Sequence, residues 1–128
     1  MRGPVSRGPV SRVFENLWGP GADYDGLAWE PFREGVQIFP LYGDRTSGAA
    51  AALLRYRAGA QVPEHRHSDW EQILVLQGSQ ADDTAEYFEG TLVLNRPEST
   101  HSVRSPRGCV VLAIWSGPVQ LLDGAAPG

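Results

Sequence analysis

From Val36 onward, apolar residues come in short runs cut by turn residues, and no segment keeps a helical period. The runs predict strands over 36–41, 49–58, 71–77, 85–88, 91–95, 101–104, 109–116 and 118–122. Between them stand turn signals at Gly43-Asp44, Gly59, Gly78, Asp82-Asp83, Gly90, Arg96-Pro97, Pro106-Arg107-Gly108 and Gly117-Pro118. Two runs show a period of two. One sets Ile73 and Val75 against Leu74 and Leu76; the other sets Val110, Leu112 and Ile114 against Val111, Ala113 and Trp115. Ala49 to Leu54 is helix-prone by propensity alone, but the flanking runs are strands and Arg55-Tyr56-Arg57 continues the alternation. Many short strands at close spacing predict an all-β sandwich or barrel.

The start of the chain is different. Arg2 to Ser6 and Arg7 to Ser11 repeat the same five residues, and their Gly and Pro resist both helix and sheet. Residues 1–12 therefore read as a flexible N-terminal arm, or one that docks on a neighbouring subunit, ahead of a single domain over 13–128. Phe14, Leu17, Trp18, Tyr24, Leu27, Trp29 and Phe32 make residues 13–35 too aromatic for a free tail, so this stretch is expected to wrap over the barrel or line a mouth. Strands that are apolar on both faces need a second cover, because a small barrel has one interior. The arm is one candidate cover, and a homodimer partner is the expected one.

Length and composition bound the function. The 128 residues fit one domain, and 41% apolar with 20% charged residues is ordinary for a globular chain. A net charge of -4 with scattered arginines argues against a nucleic-acid partner. No apolar stretch approaches the ~18 residues that span a bilayer, so no membrane partner is expected. The first twenty residues do not read as a secretory signal, and the single cysteine, Cys109, allows no internal disulfide. These features together give the expectation of a cytoplasmic protein.

The chemistry concentrates on all three histidines. His65 and His67 stand two apart, so on an extended segment both imidazoles project from one face. Glu71 shares their parity, and Ile73 and Val75 follow it. His101 opens a later strand that a barrel can bring opposite. Three imidazoles and a carboxylate form a ligand set for one divalent transition metal, such as zinc, iron, nickel or manganese. Arg55 or Arg57 are candidates to bind a carboxylate, and Tyr56, Trp70, Phe88 and Trp115 to line an aromatic wall, although core packing or a subunit interface is the preferred reading of each. Cys109 reads as a small buried apolar residue.

The spacing also matches a known pattern. Gly59, His65, His67, Glu71 and Gly78 meet every fixed position of the first cupin motif, G-x5-H-x-H-x3-E-x6-G. Gly90 and His101 keep the spacing of the second, G-x5-P-x-G-x2-H-x3-N, whereas Arg96, Glu98 and Ser105 replace its Pro, Gly and Asn. A turn without glycine at Glu98 must take a conformation that a Cβ tolerates. From about Trp29 to Leu122 the chain resembles the cupin superfamily (RmlC-like), and within it the ChrR-like group. The resemblance lies in Pro63 to His67, Glu71 to Ser79, Gly90 to Val103 and Gly108 to Trp115.

The resemblance implies a double-stranded β-helix, or jelly-roll barrel, with His65, His67, Glu71 and His101 as metal ligands. It implies a small-molecule ligand but not an activity, because one fold hosts many. The leading expectation is a small metal-dependent enzyme of dioxygenase type, acting on a small organic acid or diketone. The alternative is a stand-alone ChrR-like metal-binding sensor, or a ligand-binding module without catalysis. A metal-free epimerase or isomerase is a weaker third reading. In ChrR-like anti-sigma factors the cupin follows a helical zinc domain that holds the sigma factor. The first 47 residues here contain no His, no Cys and little helical period, which gives the expectation of no direct sigma-factor binding.

Overall fold

The computed structural model describes residues 5–7 and 11–121. Leu122, the last residue of the expected final strand, lies outside them, as do the rest of the domain's expected C-terminal end and residues 1–4 and 8–10 of the expected arm. Around the N-terminal repeat, β1 (Val5–Arg7), at the junction of its two halves, pairs with β2 (Ser11–Val13), which starts at the last residue of the second half. A 3-10 turn at Tyr24–Gly26 precedes the main sheet. That sheet contains β3 (Glu30–Arg33), β4 (Val36–Gly43), β5 (Ala50–Tyr56), β6 (Gln61–His67), β7 (Glu71–Ala81), β8 (Glu86–Phe88), β9 (Leu92–Asn95), β10 (Thr100–Arg104), β11 (Cys109–Trp115) and β12 (Val119–Leu121).

The sheet curls on itself in the order β12-β6-β10-β7-β11-β5-β4-β3, with β8 and β9 also paired to β7. Every pairing is antiparallel, and the jelly-roll expectation holds. Strand β7 is the shared spine. Its first half pairs with β11 and β9, and its last residues pair with β8 and β10. Between the halves the register against β11 slips by one residue, and Gly78 takes a φ of +74°. A Cβ on Gly78 would collide with the Gly108 carbonyl oxygen, so the motif glycine is required by close backbone approach.

The period of two sorts the strands into two apolar layers. Ala50, Ala52, Leu54 and Tyr56 of β5 face inward with Ile73, Val75, Val111, Ala113 and Trp115. Ala51 and Leu53 face outward with Leu76 and Val110. The helix-prone alanines of β5 are thus held as strand by packing on both faces, where tertiary context overrides propensity. The outer layer is covered by the aromatic stretch before β3. Phe14 and Trp29 meet the Phe39 ring edge-on, each with centroids 6.2 Å apart. Tyr24 and Leu27 are buried there too. Trp29 Nε1 donates to the Tyr24 carbonyl at 2.6 Å, and the Tyr24 hydroxyl donates to the Leu17 carbonyl at 2.8 Å, so the cover is tied to itself. The second face that motivated a homodimer is therefore covered within the chain over much of its area. Among the described residues, no helix is long and apolar enough to cross a membrane.

Strand β1 and most of β2 lie in the arm expected to resist sheet, and they pair nonetheless; β3 and β6 are absent from the sequence reading as well. Both β3 and β6 carry a proline and charged residues, and β6 buries only Val62, His65 and His67, whose spacing is broken by a register shift against β10. Leu53 has no exposed surface and sits in the outer layer beneath the aromatic cover. Leu53→Ala is expected to cost about 2–5 kcal/mol, read by urea denaturation. A loss under about 1 kcal/mol would show that the cover does not seal that face.

Candidate metal centre

Three strands build the site. His65 and His67 lie at the end of β6, Glu71 opens β7, and His101 lies near the start of β10. The ligand atoms of the four residues all fall within 4.8 Å of one another. His65, His67 and Glu71 are buried, and His101 is partly so. The route to this convergence differs from a continuous extended segment. The chain turns at Ser68–Trp70, where the Asp69 carboxylate accepts from Trp70 N at 2.8 Å and Ser68 bonds back to the Pro118 carbonyl. In the sheet, β10 lies between β6 and β7. His101 is the direct cross-strand partner of His65, which places their Nε2 atoms 2.9 Å apart.

Hydrogen bonds behind the rings select their tautomers. His65 Nδ1 lies 3.0 Å from the Pro63 carbonyl oxygen, which can only accept. The Ser99 hydroxyl donates to the Arg96 carbonyl at 2.6 Å, so its oxygen is left to accept from His67 Nδ1 at 3.0 Å. Both rings therefore carry their proton on Nδ1 and aim an Nε2 lone pair into the cluster. His67 Nε2 is buried and has no hydrogen-bond partner, although Glu71 Oε1 lies only 2.9 Å away. A lone pair facing a carboxylate oxygen repels it unless a cation sits between them. The donor set fits a metal ion on this ground.

Glu71 is held from behind as well. Its two cross-strand neighbours are Asn95 and Trp115. Asn95 Nδ2 donates to Oε1 at 3.0 Å and Trp115 Nε1 donates to Oε2 at 2.7 Å. Burial works against ionisation, but the histidines, His67 first, outweigh it and hold the Glu71 pKa below the usual carboxylate range. Burial depresses the His65 pKa, and burial with the neighbouring His65 depresses that of His101 to about 4. His65 and His101 therefore favour the neutral form that binds metals.

The second motif keeps its turn despite its substitutions. Glu98 takes the left-handed conformation, with φ +68°, that the motif's glycine would adopt more easily. It is held there by Glu98 N donating to the His67 carbonyl at 2.7 Å, and by Ser99 N donating to the Arg96 carbonyl at 3.2 Å. Ser105, in place of the motif's Asn, is fully buried and donates to the Ser79 carbonyl at 2.6 Å.

Other candidates separate. Tyr56 and Trp115 line the cavity beside the cluster, whereas Trp70 and Phe88 are about half exposed. Arg55 faces outward onto Asp25 and Gln37, and Arg57 lies exposed near Glu34, so neither enters the cavity. Arg33 and Arg45 line it instead. Cys109 is buried and its thiol is pushed up to about 11 by burial, in keeping with a packing role. Asn95 and Ser99 were missed because a residue that orients a ligand has no fixed place in the motif.

Comparison with known proteins agrees with this geometry. The family profile of the ChrR cupin-like domain matches residues 21–120. The chain is 32% identical to the anti-sigma-E factor ChrR of Cereibacter sphaeroides, over 88% of this chain and 55% of that protein. It thus spans about half the length of that relative. The crystal structure of Rhodobacter sphaeroides SigE in complex with the anti-sigma ChrR matches with a TM-score of 0.66 at 30% identity, covering 75% of this chain and 53% of that one. An acetylacetone dioxygenase from Acinetobacter johnsonii has the same fold, with a TM-score of 0.70 at 12% identity, covering 98% and 85%. The expectation against sigma-factor binding is overturned by these findings, because a relative this similar is an anti-sigma factor crystallised with SigE. That expectation rested on metal-binding residues missing from one segment, and such an absence says nothing about the surfaces of the barrel. The all-β fold, the cluster able to hold a metal and the match over most of the chain lead to one assignment: the chain belongs to the ChrR cupin-like family.

Proposed function

We propose that this protein is a ChrR-type metal-binding cupin that serves as a sensor or ligand-binding module, with His65, His67, Glu71 and His101 holding one divalent transition metal. The observation that carries this is the pair of Nε2 lone pairs on His65 and His67, which face His101 Nε2 and Glu71 Oε1 respectively, each at 2.9 Å, in a buried site. Zinc, iron, nickel and manganese all accept this donor set. When bound, such an ion supplies Lewis acidity and open coordination positions. The chain's own residues do the rest. Pro63 and Ser99 orient the rings, Asn95 and Trp115 fix the carboxylate, and the apolar cavity wall limits water.

A binding module is favoured over acid–base catalysis by the cavity lining. Besides the cluster itself, the polar groups described there are Arg33, Arg45, Tyr56 and Gln80. The Tyr56 phenol is fully buried and its pKa is pushed up, so it keeps its proton. Oxygenase chemistry on a small acid or diketone is the second reading. Its support is a shared fold and a metal cluster beside a cavity. Family membership makes a sigma factor the partner class to examine first.

Metal analysis of protein purified without a histidine tag should give one ion per chain. His65→Ala and His101→Ala should each lose most of it. Loading at a free-metal level ~1,000 times Kd should stabilise the fold by about 4 kcal/mol, lost on chelation. Equal melting temperatures with and without chelator would refute a metal held in the core. Sustained oxygen uptake with small acids or diketones would favour the second reading.

Trp115→Phe removes one donor to Glu71 and keeps the ring. Metal affinity should fall roughly 10–100-fold in a competition titration with a chromophoric chelator. An unchanged affinity would show that the indole hydrogen bond does not position the ligand.

The metal-free protein should lose stability in acid. His101 has a folded pKa of about 4 against an ordinary 6.5, so the unfolded chain takes up the proton first. Its contribution is flat above about 6.5 and stability falls as the pH drops towards about 4. Urea melts of chelated protein across this window test the sign, and a rising stability would contradict it.

A further inference from the structure

The cavity beside the histidine cluster measures about 520 Å³ including its open mouth. One side is the cluster, through His65, Glu71 and His101. The wall is apolar, with Leu54, Ile73, Val103 and Val119 among its residues. Arg33, the last residue of β3, and Arg45, in the turn between β4 and β5, also line it. Glu71 is the one acid among the described lining residues, and the cluster already engages it.

These two arginines differ from Arg55 and Arg107 on the outer surface. Arg55 pairs with Asp25 at 2.9 Å and Arg107 with Glu86 at 3.1 Å. Among the described residues, neither Arg33 nor Arg45 has an ion-pair partner. The Arg45 guanidinium lies over the Phe32 ring at 4.3 Å, and its Nη1 is buried with no hydrogen-bond partner. Asp44, next along the chain, lies near enough to favour its charge but forms no ion pair with it. That carboxylate accepts from Thr46 N at 2.9 Å and Thr46 Oγ1 at 2.6 Å, in the exposed turn. A buried guanidinium nitrogen without an acceptor is costly, and such a group in a native fold calls for a partner. A stacked guanidinium with a free edge suits a planar carboxylate.

We propose that this cavity binds a small organic carboxylate, its charged end on Arg45 with Arg33 beside it and its apolar body against the Leu54–Ile73–Val103 wall. The proposal rests on the ligand-binding reading above and names the ligand class. It puts the anion at the arginines and leaves the cluster side of the cavity facing the ligand's other end. The carboxylate supplies the acceptor that Nη1 lacks.

The test uses acetate, butyrate and benzoate, each paired with its neutral amide. Binding is followed by calorimetry on the full chain, both zinc-loaded and chelated. At least one acid should bind about tenfold or more tightly than its amide. Arg45→Met should remove that preference and Arg45→Lys should retain part of it. Zinc stoichiometry and the near-ultraviolet circular dichroism of Arg45→Met should match wild type, which separates a lost contact from a lost fold. Arg33→Gln provides a second variant, expected to weaken the acid less. Amides that bind as tightly as acids overturn the proposal. So does an acid preference that survives Arg45→Met and vanishes on chelation, because the carboxylate would then sit on the metal. Absence of zinc binding with the acid preference intact would sink the metal reading alone. Zinc binding without acid preference would sink this proposal alone.

Discussion

Glu71 is a carboxylate buried in the inner layer of the barrel, 6% exposed, and much of the surrounding structure answers to that one charge. An isolated buried carboxylate is costly, so it must be neutralised or fully hydrogen-bonded. Here the sheet register supplies the donors. Asn95 and Trp115 are its direct neighbours on β9 and β11, so the pairing that builds the sheet also aims an amide and an indole at the two oxygens. The remaining face of the carboxylate meets three imidazoles. Two of them are constrained by their own backing hydrogen bonds to present lone pairs. The arrangement is self-consistent around a cation and frustrated without one. With an ion bound as proposed, the centre would contribute to the stability of the fold as well as to its chemistry.

The same strand explains how a small barrel keeps both faces of its sheet dry. Glu71 starts β7, and Gly78 lets it bend past the Gly108 backbone, so one strand serves both sides of the curl. Its inward residues support the cluster and its outward residues Leu74 and Leu76 join the layer beneath Phe14, Tyr24, Leu27 and Trp29. The aromatic cover is thus a second core on the far side of the sheet from the site. It backs β5, β7 and β11, and β7 carries Glu71 while β11 carries its indole donor. Rigidity of the carboxylate then depends on packing that touches no ligand.

Much of this was legible in the sequence, for identifiable reasons. Five fixed residues from Gly59 to Gly78 repeat the first motif, and two of them are glycines that take positive φ in the structure. The alternation in 109–116 correctly assigned the faces of β11, because it is buried on both sides by different layers. Strand β6 was not assigned because Gln61, Pro63, Glu64 and Arg66 surround buried members that are only Val62 and two histidines, and a register shift between Val62 and His65 breaks their period of two. A histidine counts as polar in any hydrophobic pattern, yet here it is the inward face. The parity argument for Glu71 reached the right residue through the wrong path, since the chain turns at Ser68–Trp70. What it captured was that both strands end at the same mouth.

The arginines show a different limit. Arg55 sits between Leu54 and Tyr56, both inward, so the two-residue period places it outward, where Asp25 and Gln37 receive it. Its rejection as a ligand contact was available from alternation alone. Arg45 has no such signature, since it lies in a turn with Asp44 and Thr46, where a charged residue ordinarily signals solvent. Its side chain lines the cavity with its guanidinium stacked on the Phe32 face, while Thr46 takes the Asp44 carboxylate. That combination depends on β3 lying beside β4, a pairing made through a strand whose Pro31 weakens its signal. Motif spacing therefore locates the histidine–glutamate cluster, which is set by a local frame common to the fold. The groups that choose what enters the cavity come from loops and edge strands, which no shared spacing constrains. A family assignment and a ligand assignment consequently draw on different parts of this chain, and for the second the positions to read are Phe32, Arg33 and Arg45.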